Sequence, residues 1–248
     1  MFRLPDNIEL IDEKSVYTYS ELKEKFQDSK LCICDFYVQG AEDGELSDEG
    51  ITYEDVLNID HHAPIEQMHK HISSTTLAID YVRKYGILSS YHKIIINHTD
   101  CDAVLSSMIM TGVLEPSDKY NTAAIAADHT GRENKISDLL QALQETRDLP
   151  FIMENLYHIL NDEKIETKAE ILLEDRKKSR KKVKQLVDAG AFSEYNDIYY
   201  IKLEEKIESE LVPEYLPDAK LVILASPMPA GSEKKWEIKV RLGKNTRD

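Results

Sequence analysis

The sequence has few cysteines and no long hydrophobic run, and these absences exclude several classes of protein. Its three cysteines, Cys32, Cys34 and Cys101, are too few for the disulfide framework of a small secreted domain. No run of about 18 apolar residues is present to form a transmembrane helix. The first residues lack the basic and apolar regions of a signal peptide. We therefore predict a cytoplasmic protein without a membrane partner.

Positive charge is also scarce. The chain has 31 Lys and Arg against 46 Asp and Glu, which gives a formal net charge of −15. Long nucleic acids are bound largely through cationic surfaces that release counterions, so long duplexes are not expected as ligands. The basic stretch "RKKSRKK" is flanked by acidic residues and is interpreted as a solvated helix face or a domain connector. A small phosphorylated ligand held by metal ions fits this charge, because the metals supply positive charge.

Strand-like and helical segments alternate along the first 150 residues. Short apolar runs that end in polar residues predict strands over 30–36, 56–62, 92–102 and 122–131. Apolar or amphipathic stretches predict helices over 68–86, 103–114 and 136–148. This alternation favours an α/β fold with a mostly parallel sheet and flanking helices.

The pattern changes after Pro150. One long charged helix is predicted over 165–190, followed by strands over 197–203, 219–228 and 235–243. We predict a metal-binding catalytic domain over 1–150, a helical connector over 151–190 and a smaller substrate-binding α+β domain over 191–248.

Acidic residues and histidines recur where the predicted strands of the first domain end. An isolated Asp in that position is usually a helix cap or a turn residue. Repetition at four strand ends is a different signal, because open α/β sheets bind ligands beyond the carboxyl ends of their strands. The residues expected in this crevice are Asp35, Asp60, His61, His62, His98, Asp100, Asp102, Asp128 and His129.

So many carboxylates in one crevice need a cationic partner. Two like charges a few ångström apart repel by several kcal/mol at an effective protein dielectric of about 20. Carboxylate oxygens with a few imidazoles suit Mn²⁺, with Mg²⁺ as the alternative, better than Zn²⁺. We therefore expect two divalent cations, an arrangement typical of enzymes that hydrolyse phosphate esters.

The motifs resemble those of the DHH phosphoesterase superfamily. "NIDHH" looks like its naming motif, and "INHTDCDAVLSS" is similar to the H-x-D-x-D segment of its nanoRNase branch. "ICDF" and "AADHTG" resemble its two other Asp motifs, so the resemblance spans roughly residues 30–132. The superfamily includes the RecJ exonuclease, oligoribonucleases, cyclic-dinucleotide phosphodiesterases and manganese pyrophosphatases. Its H-x-D-x-D segment normally comes first in the chain, whereas here it follows DHH, as in a circular permutation.

The resemblance implies a role for each residue of the crevice. His98 and Asp100 would bind one metal, and Asp35 would bridge the two metals. The other metal would be bound by His61, Asp102 and Asp128.

The remaining roles concern orientation and substrate. The resemblance implies that Asp60 orients His61 by pairing with the ring nitrogen that does not bind the metal, and that His62 faces the substrate phosphate. Arg241, in a segment that resembles the start of the DHH-associated domain, is a candidate substrate contact, as are His129 and Arg132. The "GGGH" loop of that domain is not found, so either the chain is a truncated form or substrate is bound differently.

These inferences lead to one expected function and two alternatives. We expect a metal-dependent phosphoesterase that hydrolyses phosphodiester bonds of short oligonucleotides or dinucleotides; a homodimer is left open. The first alternative is a pyrophosphatase or short-chain polyphosphatase on the same site, which the nucleotide-type pattern of the C-terminal segment disfavours. The second is a non-catalytic metal- or nucleotide-binding module, which the permuted order and the missing loop motivate.

Overall fold

The larger part of the protein is organised around a six-stranded sheet. The structure, a computed structural model, describes residues 5–14, 16–27, 29–40, 44–62, 72–89, 92–228 and 235–246. The strands of this sheet, in spatial order, are β1 (Ile8–Leu10), β8 (His92–Ile96), β3 (Lys30–Cys34), β7 (Val56–Ile59), β6 (Gly50–Tyr53) and β5 (Glu45–Ser47). The first four run parallel, and β6 and β5 add an antiparallel edge. A small separate pair joins β2 (Tyr17–Thr18) to β4 (Val38–Gln39).

Helices cover both faces of this sheet, which explains why its central strands are apolar throughout. On one face, α2 (Ser74–Tyr85) and α3 (Cys101–Met110) pack against alternate residues of the central strands, such as Cys34 and Ile96. On the other face, α1 (Tyr19–Lys25) contributes Leu22 to a second core. The remaining helices of this part are α4 (Asp118–Ile125), α5 (Lys135–Leu143) and α6 (Leu149–Leu160).

Three of the four strands predicted for the first domain are confirmed, and one is wrong. The runs at 30–36, 56–62 and 92–102 contain β3, β7 and β8. The run at 122–131 is helical instead: α4 continues into a π-helical turn over Ala126–Thr130. Alanine is the strongest helix former, and this run contains four alanines. Of the helix predicted over 68–86, residues 72–86 are described and contain α2, while 68–71 lie outside the described residues.

A second, smaller sheet follows the long helix α7 (Thr167–Asp188). Its strands, in spatial order, are β12 (Trp236–Leu242), β11 (Leu221–Pro227), β10 (Ile198–Lys202) and β9 (Ser193–Tyr195). Val183 of α7 packs in the core of this part, together with residues of the short helix α8 (Val212–Tyr215). The predicted α/β class with a smaller C-terminal α+β part is therefore confirmed.

The long helix α7 contacts both cores. Ala169 near its start belongs to the first core, and Val183 belongs to the C-terminal core. Helix α6, which follows Pro150, also packs in the first core through residues such as Leu156. The domain limits at residues 150 and 190 stay predictions. Among the helices of the described ranges, none is both long and apolar enough to cross a membrane.

Candidate metal centre

The candidate site lies at the carboxyl ends of three neighbouring parallel strands of the large sheet. Asp35 follows β3, Asp60 and the two histidines follow β7, and His98 follows β8. Because β3 lies between β8 and β7, the Asp35 carboxylate sits at the middle of this edge. Asp35 has a left-handed backbone with φ of 64°, a conformation that Asp tolerates better than most residues and that recurs at functional sites.

One potential metal-binding group consists of Asp35, His98 and Asp100. Nε2 of His98 lies 3.1 Å from Oδ2 of Asp35 and 3.4 Å from Oδ1 of Asp100. Asp100 is also the N-cap of α3, where it accepts a hydrogen bond from the backbone N–H of Ala103 at 3.0 Å. Nδ1 of His98 lies 2.5 Å from the side-chain oxygen of Asn97, which holds the ring with Nε2 toward the carboxylates.

A second group lies on the opposite side of Asp35. Nε2 of His61 is 3.7 Å from Oδ1 of Asp35, 3.6 Å from Asp102 and 3.5 Å from Asp128. In the groups Asp35–His98–Asp100 and His61–Asp102–Asp128, one ligand atom per residue lies within 4.8 Å of the others, close enough for a single metal ion. These two groups contain the six residues predicted as metal ligands: Asp35, His61, His98, Asp100, Asp102 and Asp128. A third group of the same kind joins Asp35 and His61 to His62, which was not predicted as a ligand.

Asp128 reaches this position from a helix rather than from a strand end. It lies in the π-helical turn Ala126–Thr130, which Gly131 closes with a backbone N–H bond to Ala126 at 2.9 Å. Single π-helical turns are rare and frequently occur at functional sites. The predicted strand around Asp128 is thus corrected, whereas the placement of Asp128 beside His61 agrees with its predicted role.

The start of α2 holds the carboxylate of Asp102, which the sequence analysis did not anticipate. Asp102 accepts the backbone N–H groups of Ser74 and Thr75, each at 2.6 Å. The hydroxyl of Ser74 also donates to Asp35 at 2.8 Å. Backbone donors leave no residue signature, and the only sequence signal here is the capping pair Ser73 and Thr76.

Asp60 contacts the second histidine of the motif. Nδ1 of His62 lies 2.7 Å from Oδ1 of Asp60, and Asp60 is buried. The sequence analysis did not anticipate this pair, and orientation of His61 by Asp60 stays a prediction. Burial opposes protonation of His62, but the Asp60 carboxylate outweighs it and raises the pKa of His62 to about 8. His62 can hold a proton at neutral pH, as the predicted phosphate-facing role requires.

The pKa values around the crevice reflect crowding of negative charge. Burial, followed by the charges of Asp102 and Asp100, raises the pKa of Asp35 well above its usual range. The same causes raise the pKa of Asp128. Burial opposes the charged form of His98, but Asp100 and Asp35 raise its pKa to about 12. Divalent cations relieve this crowding, so the donor set of oxygens and two imidazoles fits hard or intermediate metals such as Mn²⁺ and Mg²⁺.

A cleft of about 560 Å³ connects this centre to the C-terminal sheet. Arg241 lines the cleft and donates from Nε to Oγ of Ser209 at 3.2 Å. Lys239, which the sequence analysis missed, lines the same cleft from β12. Residues two apart on a strand share a face, so its position two residues before Arg241 is the signal that could have found it.

The other two predicted substrate contacts lie in different places. His129 lines the cleft; its ring is 5.6 Å from that of His61, and its Nε2 donates to the Ile72 carbonyl at 2.7 Å. Arg132 is exposed and borders a separate depression with Thr130 and Lys244. The structure thus brings Arg241 and His129, but not Arg132, to the cleft.

Comparison with known proteins adds no relative: neither the protein-family models nor the curated proteins contain a match to this chain.

Proposed function

We propose that this protein is a dinuclear-metal-dependent phosphoesterase that cleaves phosphodiester bonds in short oligonucleotides or dinucleotides. The observation that carries the proposal is the position of Asp35, whose two carboxylate oxygens face different histidines. Oδ2 lies 3.1 Å from His98 and Oδ1 lies 3.7 Å from His61. A carboxylate in this position can bridge two cations, and paired cations are a recurrent solution for phosphate-ester hydrolysis. We assign the cations as Mn²⁺, with Mg²⁺ as the alternative.

The two potential metal-binding groups divide the ligands between them. His98 and Asp100 would hold one cation, and His61, Asp102 and Asp128 would hold the other. When bound, the cations would polarise the phosphate and lower the pKa of an attacking water. This ligand arrangement is the one that the resemblance to the DHH phosphoesterase superfamily implies, and membership of that superfamily is part of the proposal.

His62 and the cleft residues would act on the substrate directly. The Asp60 carboxylate keeps His62 protonated near neutral pH, so His62 can donate a hydrogen bond or a proton to the leaving oxygen. Arg241 and Lys239 line the same cleft from β12, where their charges suit a phosphate group. Together they would orient the substrate across the metal centre.

Space around the centre is sufficient for a phosphodiester substrate. His62, Asp100 and Asp128 border both the cleft of about 560 Å³ and a second cavity of about 280 Å³. A phosphorus atom between the two cavities has room for a substituent on each side. The net charge of −15 disfavours long duplexes. We also propose a cytoplasmic location.

The test is a substrate panel with purified, Mn²⁺-loaded protein. Short RNA and DNA oligomers, cyclic dinucleotides and pyrophosphate are offered with and without a chelator. We expect cleavage of a phosphodiester substrate, its loss with chelator, and its loss in Asp100→Ala. Asp148→Ala is the matched control, because Asp148 is likewise an N-cap aspartate, of α6, but lies outside the centre.

Each other outcome favours a different reading. Cleavage of pyrophosphate alone would assign the site to a pyrophosphatase. Metal binding without turnover of any substrate would favour a regulatory module. Equal activity of Asp100→Ala and Asp148→Ala would mean that the reaction does not depend on the metal centre.

A further inference from the structure

Two buried arginines of α7 contact both the larger part of the protein and the C-terminal part. Arg176 and Arg180 are only 3% and 8% exposed. Nη2 of Arg180 donates to Oδ1 of Asp138 at 2.5 Å, and Nη1 donates to the carbonyl oxygen of Gly131 at 2.6 Å. Because the Asp138 carboxylate holds one side of the buried guanidinium, the guanidinium in turn fixes the position of the Gly131 carbonyl on its other side.

That acceptor belongs to the turn that carries a potential metal ligand. Gly131 closes the π-helical turn, and its carbonyl lies three residues after Asp128. Because the turn ends at the carbonyl that Arg180 holds, a shift of this carbonyl moves the whole turn. Arg180 therefore reaches Asp128 through the backbone, without touching its carboxylate.

The same turn packs directly against the C-terminal part. A Cβ atom added to Gly131 would overlap the backbone oxygen of Glu210 and lie 2.9 Å from Cα of Leu211. Arg176 anchors this segment, because its Nη1 donates to Oε1 of Glu210 at 2.6 Å and also pairs with Glu208. The turn is thus confined between α7 and the segment 209–211.

The turn also touches the helix that holds another potential ligand. His129 donates to the carbonyl of Ile72, just before α2. The first residues of α2, Ser74 and Thr75, hold the carboxylate of Asp102. One short turn therefore connects α7 and the C-terminal part with two of the three carboxylates beside His61, those of Asp102 and Asp128.

We infer that Arg180 is a positioning residue for Asp128, and that docking of the C-terminal part and binding of a cation at His61, Asp102 and Asp128 stabilise each other. The inference rests on the metal centre of the proposed function but not on its substrate. Coupling of this kind is reciprocal by thermodynamic necessity. Loss of the Arg180 contacts should weaken cation binding, and cation binding should tighten the segment 209–215.

The first experiment measures Mn²⁺ binding by calorimetry in Arg180→Lys and Arg180→Met. Lysine keeps the positive charge but cannot donate to Asp138 and to Gly131 in the fixed geometry of a guanidinium. Both variants should therefore bind one of the two Mn²⁺ ions about tenfold more weakly, which is the scale of losses at residues that orient ligands. Lys184→Gln is the matched control on the same helix. It breaks an ion pair with Asp188 within α7 itself, so it should leave the affinity for Mn²⁺ unchanged.

A double-mutant cycle separates positioning from general destabilisation. In an Asp128→Asn background, the Arg180 substitutions should add no further loss of Mn²⁺ affinity. An equal loss in both backgrounds, or wild-type affinity in folded Arg180 variants, overturns the inference.

A second measurement uses no Arg180 variant, so it tests the inference even if those variants fail to fold. Mn²⁺ should slow amide hydrogen exchange over residues 209–215 in the wild-type protein, and by much less in Asp128→Asn. Unchanged exchange over this segment in the Mn²⁺-bound wild type overturns the coupling. If the wild type binds two Mn²⁺ but cleaves no phosphodiester, the proposed function fails while these measurements still decide the role of Arg180. A wild-type protein that binds no Mn²⁺ overturns both.

Discussion

Nδ1 of His62 lies 2.7 Å from Oδ1 of Asp60, and this contact separates the roles of two adjacent histidines. Both histidines line the cleft, but Nε2 of His61 points toward the carboxylates of the candidate metal centre, whereas His62 is paired with Asp60. The imidazole that pairs with a buried carboxylate is the one to which the proposed function assigns the substrate contact. This arrangement resembles the way carboxylates orient catalytic histidines in unrelated enzymes.

The first prediction concerns this pair. Asp60→Asn should lower kcat by about 100-fold, the lower end of the usual scale of a general acid or base contribution, because His62 loses the partner that holds its proton. Calorimetry should still count the same number of bound Mn²⁺ ions. Adding His62→Gln to Asp60→Asn should cost little more, because the two residues act as a unit. Loss of Mn²⁺ with unchanged kcat per loaded molecule would instead assign Asp60 to His61.

The second prediction concerns Asp35. Asp35→Asn should weaken Mn²⁺ binding by more than about 100-fold, since even residues that only orient ligands cost up to that factor. The metal-free variant should nevertheless melt at a higher temperature than the metal-free wild type, because a buried carboxylate among like charges is removed. Calorimetry and thermal melting check the two effects separately. Wild-type Mn²⁺ affinity in Asp35→Asn would contradict the bridging position.

The third prediction concerns pH and the stability of the metal-free protein. The raised pKa values of Asp35 and Asp128 mean that these groups bind protons more tightly in the folded than in the unfolded chain. Their contribution to stability is therefore present at low pH and is lost as the pH rises from about 4 through their folded pKa values. His62 acts in the same direction, since its contribution is lost as the pH rises through about 8.

Melting of chelator-treated protein between about pH 5 and about pH 8 tests this sign. The melting temperature should fall as the pH rises, and saturating Mn²⁺ should raise it most at the upper end. Asp35→Asn should show a shallower fall without metal. A metal-free protein that gains stability across this range would show that the carboxylates are not crowded as described.

The fourth prediction compares two glycines with nearly the same backbone. Gly131 and Gly190 have φ of 67° and 66°, but a Cβ at Gly190 would meet no atom within 4 Å. Gly190→Ala should lower the free energy of unfolding by about 1 kcal/mol through left-handed strain alone. Gly131→Ala should cost at least about 2 kcal/mol, because overpacking against Leu211 adds to the strain. Denaturant unfolding of both variants measures the difference, and equal costs would mean that the contact with the C-terminal part is loose.

Much of the centre could be predicted from the sequence because strand ends impose its geometry. Asp35, His61 and His98 follow short apolar runs that favour buried strands of a covered sheet, and the carboxyl ends of parallel strands lie at the same edge. The adjacency of β8, β3 and β7 is not written in any one run, since it depends on pairing between distant segments. It could only be assumed that these strands were neighbours.

The details that the sequence did not supply depend on side-chain direction and on helix geometry. Which histidine pairs with Asp60 is decided by rotamers after the strand has ended, and an irregular backbone has no period from which to infer them. The run before Asp128 consists of small apolar residues that suit a buried helix as well as a strand. Arg132 follows Asp128 closely in sequence, but the chain passes Gly131 and turns toward another surface.

Because of the π-helical turn, the geometry of the site depends on the number of residues in this stretch of the chain. A π-helical turn accommodates one residue more than an α-helix of the same span, and successive residues of an α-helix point about 100° apart. Deleting Ala127 would let the regular hydrogen bonding of α4 continue and would rotate the following carboxylate away from His61. The direction of the Asp128 carboxylate thus depends on one residue of chain length, and substitutions that keep the length would not reveal this dependence.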